Sequence, residues 1–126
     1  MGANKDVVGQ AYAAFGAGDI PTLIGLLDDG VDWSSPKTLP QGGTFRGKDG
    51  VVKFFEGVGA AWDSLQIDAE TVDELGSGQV VGVVRGSGTL QGGRDATYGA
   101  SHVFDVRDGK ITRFREYVDI DDAISA

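Results

Sequence analysis

The segment from Tyr98 to Asp119, YGASHVFDVRDGKITRFREYVD, constrains the fold more than any other part of the chain. It reads as two long strands joined at Asp108-Gly109, a dipeptide suited to a tight hairpin because glycine adopts a positive φ at no steric cost. The only histidine, His102, lies in the first strand, and Glu116 lies between Phe114 and Val118 on one face of the second. A charged group on an otherwise apolar strand face is costly unless it has a partner or a task. The hairpin is therefore the first candidate for a site.

The 126 residues are enough for one domain with a real core but not for two, so 1–126 is read as a single domain. A hydrophobic fraction of 40% argues against disorder. Without cysteine, disulfides and thiolate chemistry are excluded. The start, MGANKDVVGQ, has no basic region followed by an apolar run, and the longest aliphatic stretch, near Val80 to Val84, is far shorter than the ~20 residues a bilayer span needs. A soluble, cytoplasmic protein without a membrane partner is the expectation. The net charge is -8, with acidic clusters at Asp28-Asp29, Asp68 to Glu74 and Asp119 to Asp122. No basic patch is available to neutralise phosphates, which excludes nucleic acid as a partner and leaves solubility as the meaning of the acidity.

Helical spacing dominates the first third. Val7, Val8, Ala11, Tyr12, Ala14 and Phe15 predict an amphipathic helix over about 4–16, stopped by Gly16-Ala17-Gly18. Asp19 can cap a second, shorter helix carrying Ile20, Leu23, Ile24 and Leu27, with Pro21 tolerated in its first turn. Val31 to Ser35 reads as a short strand and Pro36 to Gly43 as a loop. A third helix is predicted from Lys48 or Asp49 to about Trp62. Strands follow at Leu65 to Glu74, Gln79 to Leu90, Asp95 to Val106 and Lys110 to Val118, and Asp121 to Ser125 reads as one turn of helix. Three helices before an antiparallel meander make an α+β fold in which the helices cover one sheet face. A long curved sheet over helices is a cone with an open mouth, a shape that holds ligand cavities.

The order of these elements and three segments, AYAAFGAGDIPTLIGLLDDGVDW, FRGKDGVVKFFEGV and HVFDVRDGKITRFREYVD, resemble the nuclear-transport-factor-2-like superfamily, in its SnoaL-like polyketide cyclase and ketosteroid isomerase branch. The resemblance covers nearly the whole chain and implies a cone-shaped α+β barrel. It does not fix one activity, because the fold hosts isomerases, cyclases, epoxide hydrolases, binders and structural domains. The general base of ketosteroid isomerases is an Asp before a Pro; Ser35 stands there in this chain. Their helical oxyanion tyrosine lies close to Tyr12, and their second donor falls on His102. The chain is also similar to limonene epoxide hydrolases in VFDVRDGKITRFREYVDIDDAI. Their water-activating Asp-Arg-Asp set would match Ser87, Arg85 and Glu116, and their water-positioning Tyr and Asn would match Asp32 and Ser34. In polyketide cyclases of this branch one acidic residue carries acid–base work, and Glu116 is at that position.

Glu116 has two readings: a solvated strand residue paired with Arg85 or Arg115, or a carboxyl group in the cavity. An apolar cavity disfavours the charged form of a carboxyl group, the condition for acid–base work near neutral pH. His102 is either a satisfied core histidine or a site residue sharing a face with Ala100 and Phe104. A plain two-residue hairpin would pair Glu116 with Ser101; only a β-bulge brings Glu116 opposite His102. Arg85 is either an exposed strand residue or a counter-charge to Glu116. A single histidine with no cysteine makes a zinc site improbable, and GSGTLQGG joins strand to strand, whereas a phosphate loop opens a helix.

These observations predict a catalytic set of Glu116, His102 and Arg85. Tyr12, Phe15, Trp33, Ser35, Phe55, Trp62, Ser87, Phe114 and Val118 are the substrate-binding residues, with no metal and no cofactor. The expected partners are a small apolar ligand and a second copy of the chain. The last strand, with Thr112, Arg113, Arg115 and Tyr117, has too much apolar-aromatic character for a purely solvated face, which predicts a homodimer through the exposed sheet face. The competing classes are a binding module without chemistry and a housekeeping protein whose cavity is filled by its own side chains.

Overall fold

Apolar residues recurring every three or four positions set the two longer helices. The first, α1 (Ala3–Gly16), buries Val8, Ala11 and Ala14. The short α2 (Ile20–Gly25) starts at Asp19, whose carboxylate accepts from the Thr22 backbone N–H and hydroxyl, the usual way an N-cap satisfies orphan donors. The third, α3 (Gly47–Ala61), buries Val51, Phe54 and Val58 on one stripe. The computed structural model describes residues 3–36 and 39–118. The predicted helical turn at Asp121 to Ser125 lies outside the described residues. Among them no helix is long and apolar enough to cross a membrane.

Six strands form one sheet: β1 (Leu27–Ser35), β2 (Gly43–Arg46), β3 (Trp62–Glu74), β4 (Gln79–Leu90), β5 (Asp95–Arg107) and β6 (Lys110–Val118). Their spatial order is β2-β1-β6-β5-β4-β3. The sheet curves around the helices and stays open, with β2 and β3 as its edges. This is the expected α+β cone, with two corrections. The sheet is mixed rather than antiparallel, because β1 runs parallel to β6. Those strands are joined through α3 and the four other strands, and a parallel pair requires such a long crossover. Second, the loop after Pro36 ends in an edge strand, β2, paired antiparallel to β1. Two boundaries also move. Leu27 opens β1 rather than closing α2, and Trp62 opens β3 rather than closing α3.

Strand alternation decides which side chains enter the cone. On β5 the buried positions are Ala96, Tyr98, Ala100, His102, Phe104 and Val106. On β4 they are Val80, Gly82, Val84 and Gly86. The core of Leu27, Val31, Val51, Val80, Val84 and Ile111 is almost inaccessible to solvent.

Candidate active site

The β5–β6 hairpin turns through Asp108 and Gly109, with φ of 53° and 77°, and pairs Arg107 with Lys110. Continued without interruption, that register would set Glu116 against Ser101. It is interrupted: Val106 pairs with Ile111, but Asp105 pairs with Arg113, leaving Thr112 as an extra residue on β6. The Thr112 hydroxyl donates to the Asp105 carbonyl at 3.2 Å. This bulge slips the register by one residue, and one residue is enough to turn a side chain to the other sheet face. His102 and Glu116 thereby become cross-strand partners, both facing inward and both buried.

Four side chains from three different parts of the sequence meet there in one hydrogen-bonded chain. Tyr12, on α1, lies 2.8 Å from His102 Nδ1. His102 Nε2 lies 2.8 Å from Glu116 Oε2. The Ser35 hydroxyl, at the end of β1, donates to Glu116 Oε1 at 2.6 Å. Burial, then the negative charge of Glu116, pushes the Tyr12 phenol well above its ordinary pKa, so it stays protonated and donates. With Tyr12 donating to Nδ1, the imidazole proton sits on Nε2 and is donated to Glu116. The result is a directional relay, phenol to imidazole to carboxylate, with a hydroxyl on the far carboxylate oxygen.

The relay borders a cavity of about 70 Å³, several times the ~10–15 Å³ that one water needs. Its walls include Phe15, Trp33, Phe54, Phe55, Phe104 and Phe114, and its polar lining comprises Tyr12, Gln41, Tyr98, His102 and Glu116. Trp33 and Phe114 are register partners on β1 and β6 and stack with ring centroids 4.0 Å apart. The Trp33 indole N–H has no hydrogen-bond partner among the described residues. No group of three or more metal-ligating side chains assembles among those residues.

Of the predicted set, Glu116, His102, Tyr12, Phe15, Trp33, Phe55 and Phe114 line the cavity, and Ser35 contacts it through Glu116. Trp62 is buried behind the wall, where its indole N–H donates to Gln41 Oε1 at 3.0 Å. Val118 packs against the core without lining the cavity. Arg85 and Ser87 are corrected. Both alternate with the inward-facing Val84, Gly86 and Gly88 and so sit on the outer sheet face, where Arg85 is exposed opposite Asp68 and Gly99. Arg85 therefore cannot be the counter-charge of Glu116, whose partners are His102 and Ser35. Arg115, the other suggested partner, pairs with Asp105 at 3.8 Å. Asp32 and Ser34 likewise alternate with the buried Trp33 and Ser35, and Asp32 pairs with Arg46 at 3.4 Å. The epoxide hydrolase correspondence thus retains only Glu116.

Sequence reasoning missed Gln41 and Tyr98. Tyr98 shares the β5 alternation with His102 and was detectable by it. Gln41 lies in an aperiodic loop and carries no such signal.

Comparison with known proteins agrees with this geometry. Residues 8–114 match the family model described as a SnoaL-like domain. An uncharacterized protein of Mycobacterium tuberculosis is 30% identical over 116 residues, covering 91% of this chain and 88% of the relative. A crystal structure of an NTF2-like protein from Burkholderia pseudomallei superposes with a TM-score of 0.88 at 26% identity over 100% of both chains. TerC, co-crystallized with polyporic acid, superposes with a TM-score of 0.84 at 27% identity, over 93% of this chain and 92% of its own.

Proposed function

The chain belongs to the SnoaL-like family of the nuclear-transport-factor-2-like superfamily, and on that premise we propose that it is a cofactor-independent acid–base enzyme, of isomerase, cyclase or hydrolase type, acting on a small, largely apolar molecule. The observation that carries this reading is the Tyr12–His102–Glu116–Ser35 chain set into an aromatic cavity. Glu116 is the group that takes or gives the substrate proton. His102 holds the carboxyl group in position, and Tyr12 fixes the imidazole tautomer from behind. The apolar walls exclude water and accept a flat ligand. That TerC, a neighbour of the same fold, was co-crystallized with polyporic acid supports a ligand-binding reading. We place the protein in the cytoplasm, as a homodimer through its outer sheet face.

One observation favours a second reading, a binding domain without chemistry: both carboxylate oxygens of Glu116 already accept hydrogen bonds. A small-molecule library screened by tryptophan fluorescence, followed by product analysis, separates the two. An enzyme converts some of its ligands, and Glu116→Gln abolishes that conversion while affinity stays within roughly tenfold, about 1.4 kcal/mol. Ligands that bind with none converted, together with Trp33→Ala weakening them more than Glu116→Gln, establish the binder instead.

A further inference from the structure

We propose that the cavity selects a cation: an organic ammonium on an otherwise apolar skeleton, its charged nitrogen held by Glu116 and its hydrocarbon against the aromatic walls. This rests on the reading above that the cavity takes a small, largely apolar molecule, and it gives that molecule its charge.

The charge of Glu116 is buried and has no opposite charge beside it. Its two partners are neutral donors, the Ser35 hydroxyl at 2.6 Å and the His102 imidazole at 2.8 Å. The imidazole carries one proton, because Tyr12 donates to its other nitrogen. Among the described residues no lysine or arginine lines the cavity. Arg85 is exposed on the outer sheet face, and Arg115 pairs with Asp105. A buried charge without a counter-charge is costly, and hydrogen bonds from neutral groups offset only part of the cost. The field reaches both phenols of the cavity. After burial, the charge of Glu116 is the next cause of the raised pKa of Tyr12 and of Tyr98. A positive group anywhere between them is attracted, and a negative one is repelled.

Glu116 also has acceptor capacity to spare. A carboxylate offers about four lone-pair sites, and Ser35 and His102 take one each. The N–H groups of an ammonium fit the others. The walls suit the rest of the ligand. Phe114 precedes Glu116 on the inner face of β6, and from it a run of rings leads away. Phe114 stacks on Trp33 at 4.0 Å, Trp33 meets Phe55 at 5.8 Å and Phe55 meets Phe15 at 5.9 Å between centroids. Trp33 and Phe114 are buried, whereas Phe15 and Phe55 are partly exposed, so the run joins the surface to the carboxylate. Aromatic faces attract cations. A metal ion would need several ligating side chains, and no group of three assembles among the described residues. An ammonium brings its own apolar surface instead. The net charge of -8 draws cations towards the molecule as a whole.

Benzylammonium, benzyl alcohol and phenylacetate share a benzyl skeleton and differ in charge. Titrated into the full chain near neutral pH by tryptophan fluorescence, benzylammonium should bind about tenfold tighter than benzyl alcohol, with phenylacetate weakest. Glu116→Gln keeps the shape and removes the charge, and should bring benzylammonium and benzyl alcohol to within about twofold of each other. No binding of benzylammonium, equal binding of the three probes, or a preference that survives Glu116→Gln overturns the proposal. If the variant does not fold, the wild-type protein decides. Nuclear Overhauser contacts should join the benzylammonium methylene to the ring protons of His102 and Phe114; contacts with surface residues alone overturn the proposal. Product analysis of the library ligands separates this inference from the one it rests on. A preference for benzylammonium with no ligand converted supports the cation site and counts against the acid–base reading. Conversion of neutral ligands with no preference for benzylammonium does the reverse.

Discussion

His102 is held at both ring nitrogens, so its loss unpairs two groups at once. His102→Phe removes the acceptor of Tyr12 and a donor to the buried Glu116. Each stranded group costs about 1–3 kcal/mol, more for the charged one, so urea unfolding should show a loss of roughly 3 kcal/mol or more. A loss under about 1 kcal/mol would mean that water satisfies the relay as well as His102 does. The cavity phenols predict a pH dependence. Tyr12 and Tyr98 have pKa values raised above the ordinary 10.0 by burial and by Glu116. The folded protein therefore keeps these protons at a pH where the unfolded chain releases them. Their contribution is fully present below pH 10 and is lost as pH rises through the folded values, at up to about 1.4 kcal/mol per pH unit for each phenol. Unfolding free energy measured from pH 9 to pH 11 should fall above pH 10, and less steeply in Tyr98→Phe. Glu116 and His102 were legible in the sequence because each is a polar exception in an apolar alternation. Gln41 was not, since nothing in a loop marks which side chain turns inward.

The elements were legible from period and punctuation, and the register mostly was not. The Asp108-Gly109 turn marks the hairpin, but a two-residue turn alone would have faced Glu116 away from His102. The single bulged Thr112 decides the site. Deleting Thr112 removes only the extra residue: Arg113 then follows Ile111 and still meets Asp105, so Glu116 stays opposite His102, and denaturant titration should show the relay's stability retained to within about 1 kcal/mol. A deletion variant destabilised by more than about 3 kcal/mol would show that Thr112 is not the single extra residue of the hairpin. Arg85 was misread for a related reason. The valines of β4 alternate onto both faces, so aliphatic character could not tell inside from outside. The glycines could have. Gly82 and Gly86 lie on the inner face because a Cβ at Gly82 would collide with the Tyr12 hydroxyl and one at Gly86 with the Tyr98 ring. Gly82→Ala should displace Tyr12 and cost about 1–3 kcal/mol, as overpacking does, with thermal unfolding as the check. An unchanged transition temperature would mean that Tyr12 is not seated as described.

At the scale of the whole molecule, the helices cover the inner face of the sheet and leave its outer face to solvent. Val83 on β4 and Tyr117 on β6 are both exposed, and both are register partners of Ser101 on β5. They form one row across three strands. Arg85 and Arg113 flank it on one side of the charge balance and Asp105 on the other. A two-fold pairing of identical faces can therefore bury the row and set opposite charges against each other, as isologous interfaces require. Each copy also carries a net charge of -8, which opposes association at long range and is screened over about 10 Å at 0.1 M salt. The expected result is a dimer at micromolar concentration by light scattering, with dissociation favoured at low ionic strength rather than high. Tyr117→Lys puts a solvated charge in the centre of the row and should shift the mass to that of a monomer while leaving the cavity intact, because Tyr117 points away from Glu116. A monomer mass for the unaltered chain across the micromolar range at 0.5 M salt would remove the dimer. The cone and its relay would stand without it, since every group of the relay comes from one chain.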